Sequence, residues 1–448
     1  MPPARELLEV QLNDFDPRLR WDALEQLWEQ AKRGDFDLPE QGKAVNLHCH
    51  SFFSFNGYGQ SPACVAWKAR CLGLAAAGLV DFDVLDGVDE FFDACRLVGL
   101  RTCAGLETRI FLPEFATREI NSPGEPGIAY YMGAGFTSST LASPGLLPRL
   151  KETAQQRNQS MLARINPHMR PVELDYEGDV LPLAPKGNAT ERHLCIAFDR
   201  KAKEVFPKAE KRAAFWAEKL GGDPDKIQAM FKEPPVFHAF FRSKVMKAGG
   251  VGYVKPEGQE FPEFRTVTKF VKDSGAIPTY AWLDGTSDGE QAMDELLELV
   301  TSCGVEAINI IPDRNWNIKD PAVKSRKMAE METIIDMANS KGLPILVGTE
   351  INAYGQRLVD DFAAPEMASL VEPAYEAALI MHGHTALQVR YGMGYVSAWA
   401  QSRFCSAKDK MAFYRRVGER IEPSDGNRLG AVGPEMNPEE VLLALKDA

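Results

Sequence analysis

The stretch Ala44-Val45-Asn46-Leu47-His48-Cys49-His50-Ser51 decides how the rest of the chain is read. Its apolar start has the character of a β-strand, and side chains of an extended strand alternate between faces. His48 and His50 therefore project together while Cys49 turns away, presenting two imidazoles at one strand end. A His-x-His pair is half of a metal site. It stands out because the chain holds only 7 histidines among 448 residues.

Outward from this strand, short apolar runs alternate with helical patterns. A helix is expected around Pro62–Leu72, a strand at Ala75–Val80, a helix at Val88–Val98 and a strand at Arg101–Leu106. Such alternation is the mark of a parallel sheet covered by helices. From about 112 to 190 the rhythm breaks into Pro-, Gly- and Ser-rich sequence, including Asn121-Ser122-Pro123-Gly124-Glu125-Pro126-Gly127. This reads as an insertion carrying one helix, Pro148–Arg164, of the kind that roofs a site.

Alternation resumes with a strand expected at Leu194–Phe198, followed by helices to about Lys247. Further strands are expected at Ile277–Trp282, Val305–Ile311 and Pro344–Val347, with helices at Gln291–Cys303 and Lys324–Lys341. An amphipathic helix from Asp16 to Lys32 caps the N-terminal side, and helices including Tyr375–Met381 and Ala407–Ile421 fill the C-terminal side. The division expected is 1–42 as a helical cap, 43–360 as a barrel and 361–448 as a helical extension.

Composition sets the outer bounds. With 45% hydrophobic and 25% charged residues the chain is globular, and its net charge of −12 argues against gathering a nucleic-acid backbone. The start does not read as a secretory signal, and the most apolar window, Cys71–Val80, is about half a membrane helix. A cytoplasmic protein is the expectation. The 8 cysteines form no C-x-x-C pair and read as reduced, buried thiols. Asn158-Gln159-Ser160 and Asn188-Ala189-Thr190 are then chance glycosylation triplets.

In a parallel barrel the strand ends aim their side chains at a common mouth. Collected there are His48 and His50, Asp81 and Asp83, Glu107, His193, Trp282 and Asp284, Asp313, and Glu350 with Asn352. Imidazole and carboxylate ligands together suit Zn, Mn or Fe better than Mg or Ca. Asp81 and Asp83 fit either the orientation of a ligand histidine and proton transfer, or the capping of the next helix. Trp282 fits either core or pocket wall. For a phosphate the cationic candidates are Arg314, Lys255, Lys186 and Arg192. His382-Gly383-His384 reads as a helix end or turn.

The chain resembles the polymerase and histidinol phosphatase (PHP) superfamily of metal-dependent phosphoesterases over roughly 44–110 and 190–355. His48-Cys49-His50-Ser51 is similar to its opening His-x-His-Ser/Thr. Gly78-Leu79-Val80-Asp81-Phe82-Asp83 is similar to the strand of its Thr-Asp-His-Asp block, and Gly105-Leu106-Glu107 to the strand bearing its bridging glutamate. Phe82, Trp282 and Asn352 stand where the pattern has metal-ligand histidines. The resemblance implies a distorted (β/α)7 TIM-like barrel and a metal-dependent hydrolase, a phosphoesterase whose substrate class is small phosphorylated metabolites.

It also implies the ligands position by position. A first divalent ion would take His48, His50 and Glu107, with Glu350 replacing an aspartate. A second would take Glu107 and His193 and need Asp284, water or substrate in place of the Trp282 position, and a third, keeping only Asp81, is expected empty. One or two ions follow, with Asp81, Asp83 and Arg314 as catalytic candidates. Two other readings stay open: a single-metal lyase or isomerase on a sugar-like substrate, and a non-catalytic binding barrel.

Overall fold

The computed structural model describes residues 4–255, 258–424, 430 and 432–445. The opening Met1-Pro2-Pro3 and the last three residues, parts of the expected cap and extension, lie outside them. In chain order the first half runs α1 (Arg5–Gln11), α2 (Pro17–Lys32), β1 (Val45–Cys49), α3 (Pro62–Cys71), β2 (Ala76–Phe82), α4 (Val88–Val98), β3 (Arg101–Phe111) and β4 (Ile128–Ala134). Five helices follow: α5 (Leu147–Met169), α6 (Glu191–Val205), α7 (Ala209–Leu220), α8 (Pro224–Met230) and α9 (Pro234–Val245). The second half comprises α10 (Phe264–Asp273), β5 (Ile277–Trp282), α11 (Asp288–Gln291), α12 (Met293–Ser302), β6 (Ala307–Ile310), α13 (Asp313–Trp316), α14 (Pro321–Lys341) and β7 (Ile345–Val347). Four helices close the chain: α15 (Ala368–Tyr391), α16 (Ala398–Arg403), α17 (Ala407–Arg420) and α18 (Pro438–Ala444).

The helix starts have local causes. Asp16 accepts a hydrogen bond from the Arg18 N–H ahead of α2, and Ser61 does the same for Cys64 ahead of α3, each with proline at the first helical position. Helix α4 stops at Gly99, whose φ of 68° supplies the left-handed turn.

The seven strands form one sheet in sequence order. Strands β1, β2 and β3 are parallel, β4 is antiparallel to both β3 and β5, and β5, β6 and β7 are parallel again. The residues after β7 then return to β1: Glu350 N–H donates to His48 O, and His50 N–H donates to Glu350 O, both at 2.8 Å. A parallel bridge between Cys49 and Glu350 thus nearly closes a seven-stranded barrel, the distorted α/β barrel expected.

The fourth strand comes from a segment read as loop. Ile128–Ala134 lies inside the supposed insertion, whereas Leu194–Phe198, expected as a strand, is the middle of helix α6. A five-residue apolar run fits a buried strand or a helix face equally well. Here the flanking pattern decides: Leu194, Cys195, Ala197, Phe198 and Ala202 are buried on one side while Arg200 and Glu204 face solvent.

Helices α5 to α9 enclose their own apolar cluster, centred on Ile165, Phe198, Trp216, Phe237 and Phe241. The C-terminal helices share the main core with the sheet: Leu370, Ala377, Met381 and Tyr414 pack in the same cluster as Leu47, Ile308 and Leu346. His382 and His384 lie inside α15 rather than at a turn. They are buried, with Nε2 of each donating to a carbonyl, Ile421 O at 3.0 Å and Gly135 O at 2.8 Å. Asn158 and Asn188 are also buried and donate to backbone carbonyls, which leaves neither exposed as a glycosylation acceptor. Among the described residues no helix is long and apolar enough to cross a membrane, and the cysteines are unpaired.

Candidate metal centre

Three side chains meet at the barrel mouth. The register of β1 on β2 slips between Asn46 and Cys49, so β1 carries an extra residue just where the histidines leave the strand. Nε2 of His48 lies 3.3 Å from Nε2 of His50, and Oε2 of Glu107 lies 3.4 Å from the former and 3.3 Å from the latter. All three residues are buried, at 1%, 0% and 3% exposure. Donors of a tetrahedral ion bound at about 2.0–2.1 Å are spaced by roughly this amount. Moreover, Glu107 Oε2 is buried without a hydrogen-bond donor. An acceptor stranded in this way fits a cation, and the donor set is that of a transition-metal site.

The ring nitrogens turned away from the centre are fixed by neighbours. His48 Nδ1 lies 3.0 Å from Asn309 Oδ1, an acceptor, so the proton sits on Nδ1 and the Nε2 lone pair faces the centre. His50 Nδ1 meets Ser54 Oγ at 3.4 Å, and Ser54 in turn donates to Asp81 at 2.6 Å. Asp81 also accepts from the Ser51 N–H and Ser51 Oγ, both at 2.7 Å. The two aspartates thus differ: Asp81 is engaged by serines, while Asp83 accepts from Thr108 Oγ1 at 2.6 Å.

Electrostatics follow from burial and pairing. Burial alone would lower the pKa of His48, but Glu107, Glu350 and Asn309 hold it above the ordinary value. Against its own burial, Glu107 is held well below the usual carboxylate range by His48 and His50. Burial pushes Asp83 up to about 6 and raises Asp81 as well.

Glu350 reaches the same rim, its backbone bracketing His48 and His50 as described above. Its Oε2 pairs with Arg314 Nη2 at 2.5 Å and accepts from Gln356 Nε2 at 3.2 Å, so this carboxylate lies beside the trio without joining its tight triangle. The backbone here is left-handed at Asp83 (φ 61°), Glu350 (φ 63°) and Ile351 (φ 50°), the non-glycine positive φ angles among the described residues. Such conformations cost about 1–3 kcal/mol each and collect at functional sites.

His193 is placed by a helix start instead of a strand end. Its Nδ1 accepts from the Thr190 N–H at 3.0 Å as part of a capping box opening α6, its ring stands edge-on to Phe55, and burial lowers its pKa to about 4. It lies outside the His48–His50–Glu107 cluster. Asp284 is likewise engaged, by Lys327 at 2.8 Å and Thr286 at 2.6 Å, and Trp282 is part of the main core. Phe82, in place of a histidine, stacks on His50 with ring centroids 4.2 Å apart.

Several participants escaped sequence reading. Asn309 is a lone amide within Ala307-Ile308-Asn309-Ile310, and that isolation is the signal it offers. Asn46 is similar: buried in β1, it accepts from His48 N–H at 3.1 Å and donates to Thr349 Oγ1 at 2.7 Å, tying β1 to the segment after β7. Glu290, also buried, accepts from the backbone N–H groups of Leu283, Asp284 and Gly285 and shapes the loop after β5.

No family model matches the chain. Over 70 residues it is 40% identical to an error-prone DNA polymerase from Cutibacterium acnes, a stretch amounting to 16% of this chain and 6% of that protein. Among solved structures it is similar to an amidohydrolase from Chromobacterium violaceum, with 16% identity, TM-score 0.47, and coverage of 74% of this chain and 96% of the other. It is also similar to a candidate metal-dependent phosphoesterase from Bifidobacterium adolescentis, with 18% identity, TM-score 0.46, and coverage of 74% and 98%. The structure itself shows a nearly closed seven-stranded α/β barrel that brings the His-x-His exit of β1 and the glutamate of β3 together at one mouth.

Proposed function

We propose that this protein is a metal-dependent hydrolase, a phosphoesterase acting on a small phosphorylated metabolite. The observation that carries the reading is the buried triangle of His48, His50 and Glu107 with its stranded carboxylate oxygen. A divalent ion held there supplies polarisation of a phosphoryl oxygen and a water acidic enough to ionise near neutral pH. Zn, Mn or Fe suits the donors. Glu350, beside the trio, is the candidate for a further ligand, through the oxygen that Arg314 and Gln356 leave free.

The surrounding residues divide the remaining work. Asn309 and Ser54 with Asp81 hold the two imidazoles with their lone pairs inward. Arg314, with its side chain 42% exposed, offers charge to a phosphoryl group arriving from solvent. Asp83, raised by burial, accepts or returns a proton near neutral pH. One ion is the better-supported number: a second on Glu107 and His193 would have to do without Asp284, which Lys327 holds, and Phe82 denies a ligand to a third. The same shortage supports a second reading, a single-metal lyase or isomerase.

The acidic net charge supports a small-molecule substrate over nucleic acid, and cytoplasmic localisation belongs to this reading. So does the division into a cap (1–42), a barrel (43–360) and a C-terminal helical extension (361–448). The test is inorganic phosphate release from a panel of phosphorylated metabolites, with His48→Ala and Glu107→Ala as controls. Release that both substitutions abolish is expected. Release that survives them contradicts the site, and metal binding without any phosphate release turns the reading toward lyase or isomerase chemistry.

A further inference from the structure

Strand β3 continues past Glu107, and its next residue on the same face is Arg109, paired across the sheet with Tyr130. Arg109 Nη1 lies 2.8 Å from Glu125, and its guanidinium carbon lies 4.5 Å from the centroid of the buried Phe261 ring. A second guanidinium reaches that ring from α5: Arg157, at 4.4 Å. The two guanidinium groups are therefore neighbours on one aromatic ring.

Arg157 is half-buried and, among the described residues, makes neither a hydrogen bond nor an ion pair. Burial and the neighbouring Arg109 lower its pKa to about 10. Two guanidinium groups drawn together out of water repel each other, and ring stacking does not supply the acceptors their N–H groups lose. Nearby acids are largely engaged. Glu125 serves Arg109 and Ser122, Glu191 serves Arg242 and Lys247, Asp83 is bonded to Thr108, and Glu260 is exposed. What this corner lacks is a bidentate anion, the partner for which arginine forks are shaped. Arg314, rising after β6, lies three strands away round the barrel from β3, so the corner is distinct from that rim charge.

We infer that Arg109 and Arg157, set on Phe261, form an oxyanion subsite beside the metal trio that binds an anionic group of the substrate. Calling the occupant substrate rests on the function proposed above; the subsite itself does not. Arg157 comes from the helical segment between β4 and β5, so that segment would help set which substrates the barrel accepts.

The test is calorimetric titration of the full-length protein with inorganic phosphate, and separately with acetate, in wild type, Arg157→Ala, Arg157→Lys and His48→Ala. Phosphate binding is expected to survive His48→Ala and to weaken tenfold or more in Arg157→Ala. Arg157→Lys, which keeps the charge but loses the fork, should fall between and covers the case of an unstable alanine variant. Preference for phosphate identifies a phosphoryl group, and equal binding of acetate a carboxylate. Affinity unchanged by both Arg157 substitutions, or binding abolished by His48→Ala alone, overturns the subsite. Failure of the metal reading shows separately, as absence of bound metal in the wild type.

Discussion

Replacing Asn309 by leucine isolates the reasoning about the centre, because Asn309 is not a ligand. The substitution keeps the branching at Cγ, though with a bulkier side chain, at a position 1% exposed while deleting the acceptor 3.0 Å from His48 Nδ1. A buried N–H left without a partner costs about 1–3 kcal/mol. His48 can recover that cost by moving its proton to Nε2, the nitrogen that must stay bare to bind an ion. Loss of an outer partner of a ligating histidine typically lowers metal affinity by about 10–100-fold, or roughly 1.4–2.8 kcal/mol. The leucine also gives up a 3.2 Å hydrogen bond from Asn309 Nδ2 to Leu346 O, worth about 1 kcal/mol of fold stability. Competition with a chelator of known affinity reads the first effect, and urea unfolding of the metal-free protein reads the second. Asn309→Asp, which restores an acceptor, should recover metal affinity. If the leucine variant binds metal as tightly as wild type, the assigned tautomer and the role of Asn309 are both wrong.

Two further substitutions test the scaffold. A methyl group at Gly348 would stand 2.3 Å from His48 Cβ and 2.6 Å from His48 N, so Gly348→Ala should weaken metal binding in chelator competition although no ligand is altered; unchanged affinity would count against the close packing of the segment after β7 on β1. His382 is kept neutral in the fold, its pKa lowered to about 4 by burial and nearby Arg101, against about 6.5 in an unfolded chain. The unfolded state therefore binds the extra proton first, and stability is full above pH 6.5 and falls as the pH drops toward 4, by up to about 3 kcal/mol for this residue. His382→Gln keeps a donor for Ile421 O and should flatten urea midpoints between pH 6.5 and 4; an unaltered slope would remove His382 as a source of acid sensitivity.

Much of the barrel was legible because strongly apolar strands and amphipathic helices leave local signatures. Ile277–Trp282 and Val88–Val98 fall at the expected bounds. Strand β4 was not, since Ile128–Ala134 sits among Pro-, Gly- and Ser-rich turns, and its antiparallel pairing to both neighbours breaks the β/α rhythm used to find the others. Helix α6 was misread for the opposite reason: its apolar run is short, and the capping box that starts it contains His193, where a glutamate or glutamine would have been the recognisable signal. For the centre, alternation along β1 brought His48 and His50 together as expected, and Glu107 joined them. Asn309, Asn46, Arg109 and Arg157 were out of reach. Their significance lies in which distant residue they meet, and tertiary packing alone decides that.

Elemental analysis of the full-length protein, purified without chelators beside His48→Ala, bears most directly on the central claim. The geometry of His48, His50 and Glu107 predicts a stoichiometric transition metal in the wild type and its loss in the variant. A metal-free wild type that also fails to take up Zn, Mn or Fe on titration, or a His48→Ala variant that retains a full complement, would contradict it.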